Sequence, residues 1–140
     1  MRPDVATFTT SPLQKSLYLE GIPSVEITTK SDQKGFDLCL ALSVVNKENT
    51  KVEQISTGVL RIEGENSTKA LPRKVLLQPL LAKLQQGECL RLSIAGAAWP
   101  AIGINPGDGK GPIGAVGPHC RVITIIMNLV HSRLKISPLI

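Results

Sequence analysis

Apolar and polar residues alternate at period two along most of this chain, a rhythm that belongs to strands with one buried face. The clearest stretch, residues 36–45, sets Phe36, Leu38, Leu40, Leu42 and Val44 on one face and Asp37, Cys39, Ala41 and Ser43 on the other. Residues 90–95 repeat it as Leu90-Arg91-Leu92-Ser93-Ile94-Ala95. Shorter runs lie at 17–19, 25–28, 52–55, 59–63 and 75–84. Residues 121–130 form a long β-branched run, and Leu134-Lys135-Ile136 closes the pattern. Asn46-Lys47-Glu48-Asn49 and Gln86-Gly87 read as turns. A helical window exists only at 76–86, and Pro79 inside it speaks against a helix and for a strand edge or bulge. About eight or nine short strands with turn signals between them predict an all-β fold. The expected architecture is an antiparallel jelly-roll sandwich spanning residues 1–140 as one domain. Leu38, Leu40, Leu42, Leu90, Leu92, Ile94, Ile123 and Ile125 are expected between its sheets.

Composition narrows the function classes. The 140 residues are 42% apolar and 19% charged, which is globular and long enough for a core without staples. The net charge of +5 invites a nucleic-acid or membrane reading. The lysines are scattered singly, however, and the few aromatics (Phe8, Tyr18, Phe36, Trp99) do not interleave with them, so neither partner is expected. Cys39, Cys89 and Cys120 are odd in number and form no C-x-x-C pair, which suggests neither a disulfide framework nor a zinc site. A reducing cytoplasm is the expected compartment. No apolar run approaches the roughly 18 residues of a membrane span, and no signal-like apolar stretch follows Met1-Arg2-Pro3-Asp4.

Residues 99–118 break the rhythm with six glycines and four prolines. A loop of that length in a compact domain has a job or is disordered. Gly109-x-Gly111-x-x-Gly114 matches the dinucleotide fingerprint as a string, but Pro112 lies inside it and no helix can follow to present amides to a pyrophosphate. A phosphate-binding P-loop needs glycine where Ile104 stands and Ser or Thr where Gly111 stands. No cofactor is expected.

Nucleophilic catalysis needs an activated Ser or Cys, a base and an orienting group. There is no G-x-S-x-G elbow. His119 adjoins Cys120 and His131 adjoins Ser132, but neighbours on an extended chain point to opposite faces. A small cysteine-dependent enzyme is therefore disfavoured, and no catalytic or metal-binding residue is assigned. Asp37, with Asp32 before it, reads either as a solvent-facing or turn-bonded carboxylate or as one that closes the loop before its strand. Arg61 and Arg91, both within alternating strands, are its candidate partners. Asn66-Ser67-Thr68 fits the glycosylation sequon, which a cytoplasmic chain would not use.

Several segments, taken in order, resemble the C-terminal domain of the X-Pro dipeptidyl-peptidase and cocaine-esterase-like serine hydrolases. Arg2-Pro3-Asp4-Val5-Ala6-Thr7-Phe8-Thr9-Thr10-Ser11-Pro12-Leu13 is similar to its opening R-x-D-V stretch. Gly21 with Ser24-Val25-Glu26-Ile27, and Phe36-Asp37-Leu38-Cys39-Leu40-Ala41-Leu42, resemble its next strands. Ile55-Ser56-Thr57-Gly58-Val59-Leu60-Arg61 looks like its [IL]-x-x-G-x-x-R, and residues 87–94 look like its G-H-R-L-R-L-x-I. Trp99-Pro100 with Asn105-Pro106-Gly107-Asp108-Gly109 is similar to its F-P-x-x-x-x-N-P-x-T-G. Ser132-Arg133-Leu134-Lys135-Ile136-Ser137-Pro138-Leu139 resembles its terminal S-x-[IV]-x-L-P-V. Glu88, residues 46–50 and Ser137 depart from the pattern.

The resemblance implies a galactose-binding-like jelly roll without the hydrolase machinery. In such enzymes the Ser, Asp and His triad belongs to a preceding α/β-hydrolase domain. The partners it implies are that catalytic domain, in cis or in trans, or a second copy of this chain. Trp99, Pro100, Asn105 and Asp108 are the residues singled out for a domain interface or ligand surface. A free-standing carbohydrate- or ligand-binding jelly roll is the alternative, for which Trp99 is the one serious aromatic platform.

Overall fold

The computed structural model describes residues 2–98, 101–114 and 117–137. The strands are β1 (Val5–Thr9), β2 (Leu17–Ser31), β3 (Gly35–Val45), β4 (Val52–Glu63), β5 (Leu71–Leu76), β6 (Leu80–Leu84), β7 (Cys89–Ala95) and β8 (Ile125–Ser137). A single 3-10 turn, Glu65–Thr68, is the helical element among the described residues. One sheet runs β1-β7-β3-β4, and the other groups β5, β6 and β8 around β2. All their pairings are antiparallel. The chain changes sheet at every connection except β3 to β4 and β5 to β6, the crossing pattern of a jelly roll.

Strand β2 is the spine of the second sheet. Its first half pairs with β6, from Leu17↔Leu84 to Gly21↔Leu80. Its second half pairs with β5, from Ser24↔Leu76 to Thr29↔Leu71. Between Gly21 and Ser24 lie three steps, whereas Leu76 to Leu80 takes four. Residues 71–84 are thus one extended run with a single extra residue next to Pro79, which has no N–H for a ladder. The window at 76–86 is strand, not helix.

The core lies where the alternation of β3 places it. Phe36, Leu38 and Leu42 are each 0% exposed. They pack with Ile62 and Ile94 from their own sheet and with Val25, Ile27, Val75, Leu77 and Leu80 from the other. Burying each large apolar side chain contributes about 1.5–3 kcal/mol. Four of the residues expected in the core, Leu90, Leu92, Ile123 and Ile125, are only partly buried at its margin. The cause is that the two sheets meet unequally at their two sides.

One side is stitched. Gln78 N donates to Thr57 O at 2.9 Å and Ser56 Oγ donates to Gln78 O at 2.6 Å. These bonds tie β4 to the β5–β6 junction. Gly58 permits the approach, because a Cβ there would lie 2.4 Å from Leu76 O. The other side, between β1 and β8, has no such bonds among the described residues, and Leu90 and Leu92 look out through it.

The two C-terminal runs of the sequence form one strand, and it begins at Ile125, not at 121. Residue 124 is instead held by a turn: Asp32 N donates to Thr124 O at 3.2 Å, and Thr124 N donates to Asp32 Oδ1 at 2.9 Å. Within β8, Glu26 faces Arg133 and Thr28 faces Asn128, so residues 129–132 bulge outward opposite Ile27 alone. Asn128 Oδ1 accepts from Val130 N at 2.9 Å, Ser132 Oγ donates to Asn128 O at 2.9 Å, and His131 takes a φ of 65°.

Candidate functional site

Asp37 stands on the outer face of β3, directly opposite Arg61 of β4. It is 1% exposed. Arg61 grips it with two bonds, Nε to Oδ1 at 2.9 Å and Nη2 to Oδ2 at 2.7 Å. Asn105 Nδ2 adds a third to Oδ1 at 2.9 Å. Arg61 Nη2 also donates to Gly103 O at 2.6 Å. The described part of the Gly- and Pro-rich loop therefore hangs from a buried polar node. The solvent-facing reading of Asp37 fails because a loop covers this face, and that loop is the one carrying Gly103 and Asn105, not the one expected, which precedes the strand. Among the described residues Arg91 meets no carboxylate; its Nε donates to Thr9 Oγ1 at 2.9 Å.

The node shapes the turn beyond it. Asn105 Oδ1 accepts from Gly107 N at 3.0 Å, and Gly107 adopts a φ of 83°, open to glycine at little cost. Pro106 is fully buried. Lys34 N donates to Gly107 O at 3.1 Å and Arg121 N donates to Pro106 O at 3.0 Å. Ile104 and Ile113 exchange two backbone bonds of 2.9 and 2.8 Å, closing the loop's base.

Glu63 lies beside the node, over Gly35, where a Cβ would meet its Oε2 at 2.6 Å and Asn105 Oδ1 at 2.9 Å. Among the described residues neither carboxylate oxygen finds a hydrogen-bond donor. Burial raises its pKa above the ordinary 4.5; Arg61 opposes the rise, and Asp37 and Asp108 add to it. A raised folded pKa means that the folded chain takes up this proton before the unfolded chain does as pH falls. The stabilisation is fully present below the ordinary value and is lost as pH rises through the folded one. Glu63→Gln is accordingly expected to raise stability at neutral pH and to flatten its change between pH 4.5, the ordinary value, and neutrality. Urea unfolding at the two pH values measures this; a variant less stable than the parent at neutral pH would show that the carboxylate is a net asset beside Arg61.

Among the described residues the buried thiol is held in its unreactive form. Cys39 is buried on β3, and its thiol is pushed up to about 11, by burial first and then by Asp37, against an opposing pull from Arg61. It stays protonated at neutral pH, when only a thiolate attacks. Among the described residues neither His119 nor His131 shares a side-chain hydrogen bond with Ser or Cys. No three of His, Cys, Asp and Glu converge on a metal position among them either.

Of the residues singled out in the sequence, Trp99 and Pro100 lie outside the described residues. Asn105, 9% exposed, is turned inward to Asp37. Asp108, three positions on, is half-buried and caps its own turn through Lys110 N at 2.9 Å. The structure thus puts Asn105 and Asp108 on one turn with different tasks.

A feature that sequence reading missed is an apolar cleft of about 360 Å³ on the open side of the sandwich. Phe8, Leu90, Leu92, Val25, Leu129 and Leu134 are among its lining residues. Leu129, on the β8 bulge, is 53% exposed. The one signal for it is the lapse of alternation at Leu129-Val130, where two apolar residues stand side by side.

Comparison with known proteins places this geometry. A family model described as the X-Pro dipeptidyl-peptidase C-terminal non-catalytic domain matches residues 1–131. A solved α-amino acid ester hydrolase superposes with a TM-score of 0.84 at 20% identity, covering 96% of this chain and 25% of that one. An aminopeptidase from a marine sediment archaeon, a Thaumarchaeota archaeon, gives 0.84 at 17% identity, covering 97% and 26%. A CocE/NonD family hydrolase from Staphylococcus aureus gives 0.64 at 17% identity, covering 94% and 30%. No curated protein matches in sequence. The chain spans only about a quarter of the first two of these hydrolase chains.

Proposed function

We infer a role from the family to which this chain belongs, the X-Pro dipeptidyl-peptidase C-terminal non-catalytic domains. It is the accessory β-sandwich of a serine hydrolase acting on acyl-ester or X-Pro peptide substrates. It docks on an α/β-hydrolase catalytic domain, in the same chain or as a separate subunit, and completes the surroundings of that domain's active site. The observation that carries this reading is the family match over residues 1–131. Two structural features support it. The thiol of Cys39 is held protonated inside a sheet, and the open side of the sandwich keeps apolar surface of the kind that a neighbouring domain covers.

The test has two arms. The purified chain is assayed with an X-Pro anilide and an aryl ester, and its rates should equal those of buffer. A turnover stopped by a serine- or cysteine-directed inhibitor that labels the chain stoichiometrically would overturn the reading. The second arm examines the reading frame immediately upstream, which should encode a hydrolase with a G-x-S-x-G elbow.

A further inference from the structure

We propose that the concavity between Lys34 on one side and residues 107–110 and 118–121 on the other binds a small oxyanion of the phosphate class, held by Lys34, Lys110 and Arg121. This site is separate from the docking role above and does not depend on it. The concavity measures about 520 Å³. Its lining brings together those three cations, Asp108, His119 and Cys120. Three basic side chains there face one carboxylate.

None of the three cations enters an ion pair among the described residues; the ion pairs there are Arg2–Asp4, Arg61–Asp37 and Arg133–Glu26. Among the described residues the Arg121 side chain donates to Gln33 Oε1 alone, from Nη1 at the long distance of 3.5 Å. Like charges gathered round one hollow repel each other, and an anion seated among them turns that repulsion into attraction. Arginine meets a phosphate with a planar fork of donors, and lysine adds point charge.

The cations come from separate stretches of chain, yet their backbones are fixed to one turn. Lys34 N is bonded to Gly107 O and Arg121 N to Pro106 O. Lys110 N is bonded to the Asp108 carboxylate. The turn itself hangs through Asn105 from the buried Asp37. The positions from which the three side chains reach out are therefore set by the fold before any ligand arrives, which lowers the ordering cost of binding. Gly107 and Gly109 take left-handed φ of 83° and 77°, and a Cβ on Gly109 would lie 3.3 Å from Lys34 O, so glycine there lets the two segments approach. The space admits a phosphomonoester as readily as the free ion.

Isothermal titration of the full chain with inorganic phosphate, a sugar phosphate and acetate tests the proposal. Phosphate binding should weaken as salt is added. Arg121→Ala should weaken it about tenfold, the loss of a hydrogen-bonded charge. Asp108→Asn, which removes the opposing charge, should tighten it about threefold. Arg121 is exposed, and an unchanged urea midpoint for its variant certifies the fold. Tighter binding of the sugar phosphate identifies an ester as the ligand, and equal binding identifies the free ion; both support the site. Absence of binding at about 10 mM phosphate, acetate binding as tight as phosphate, or equal affinity in the parent and both variants overturns it.

Discussion

Arg61→Ala destabilises the fold by about 3–5 kcal/mol, the range for breaking a buried ion pair from one side, and it costs more than Asp37→Ala. The order follows from where each survivor is left. The side chain of Arg61 is 26% exposed and that of Asp37 only 1%. An Arg61 without its partner can turn its guanidinium toward water and still donate to Gly103 O. An Asp37 without Arg61 keeps a charge inside the protein with the Asn105 amide as its one remaining side-chain donor. Urea unfolding of both variants and of the double variant measures the order and the coupling. Equal losses, or a loss under about 1 kcal/mol for Arg61→Ala, would mean that solvent reaches Asp37 more easily than its burial indicates.

Phe36→Ala is expected to cost about 3–5 kcal/mol, from lost transfer energy and from the cavity left behind. Phe36 is fully buried, opposite Ile62 of β4, with the Arg73 guanidinium 5.8 Å from its ring centroid. The contrast within one experiment is Leu92→Ala, at the open side, where water and neighbouring side chains can fill the gap; its loss should stay below about 2 kcal/mol. Both are read as a shift of the urea midpoint at constant slope. A Leu92→Ala loss equal to that of Phe36→Ala would place Leu92 in a closed core.

Alternation made the strands legible, since period two in β3 and β7 fixes which side chains share a face without knowledge of any partner strand. Pro79 likewise revealed its bulge, because a missing N–H is a local property. What the sequence concealed is non-local. Asp37 reads as an outward residue, and its cover arrives from Asn105, 68 residues away. No period in β3 can report a loop that folds back onto it. The Asn105-Pro106-Gly107 string was visible through family likeness, but its reason is geometric: one side chain must bond to Asp37 and to Gly107 N together, and the next residue but one must accept a left-handed φ. The half-buried state of Leu90 and Leu92 was hidden for a related reason. Their alternation is as clean as that of β3, and only the absence of stitching between β1 and β8 separates a margin from a centre. The bulge at 129–132 rests on short polar contacts of Asn128 and Ser132 that imitate an ordinary strand in sequence.

The unequal joining of the two sheets has a consequence for how the domain breathes. Bound along the Thr57–Gln78 side and free along the other, the sandwich opens as a book does, with its spine on β4 and its fore-edge at β1 and β8. Hydrogen exchange is expected to show it: backbone amides near the spine and in β3 should exchange only on global unfolding, and those at the fore-edge through small local excursions. The polar node that anchors the glycine-rich turn joins β3 and β4, on the spine half. Opening at the apolar cleft is therefore expected to leave the turn's amides protected, so that the two regions answer to different neighbours independently.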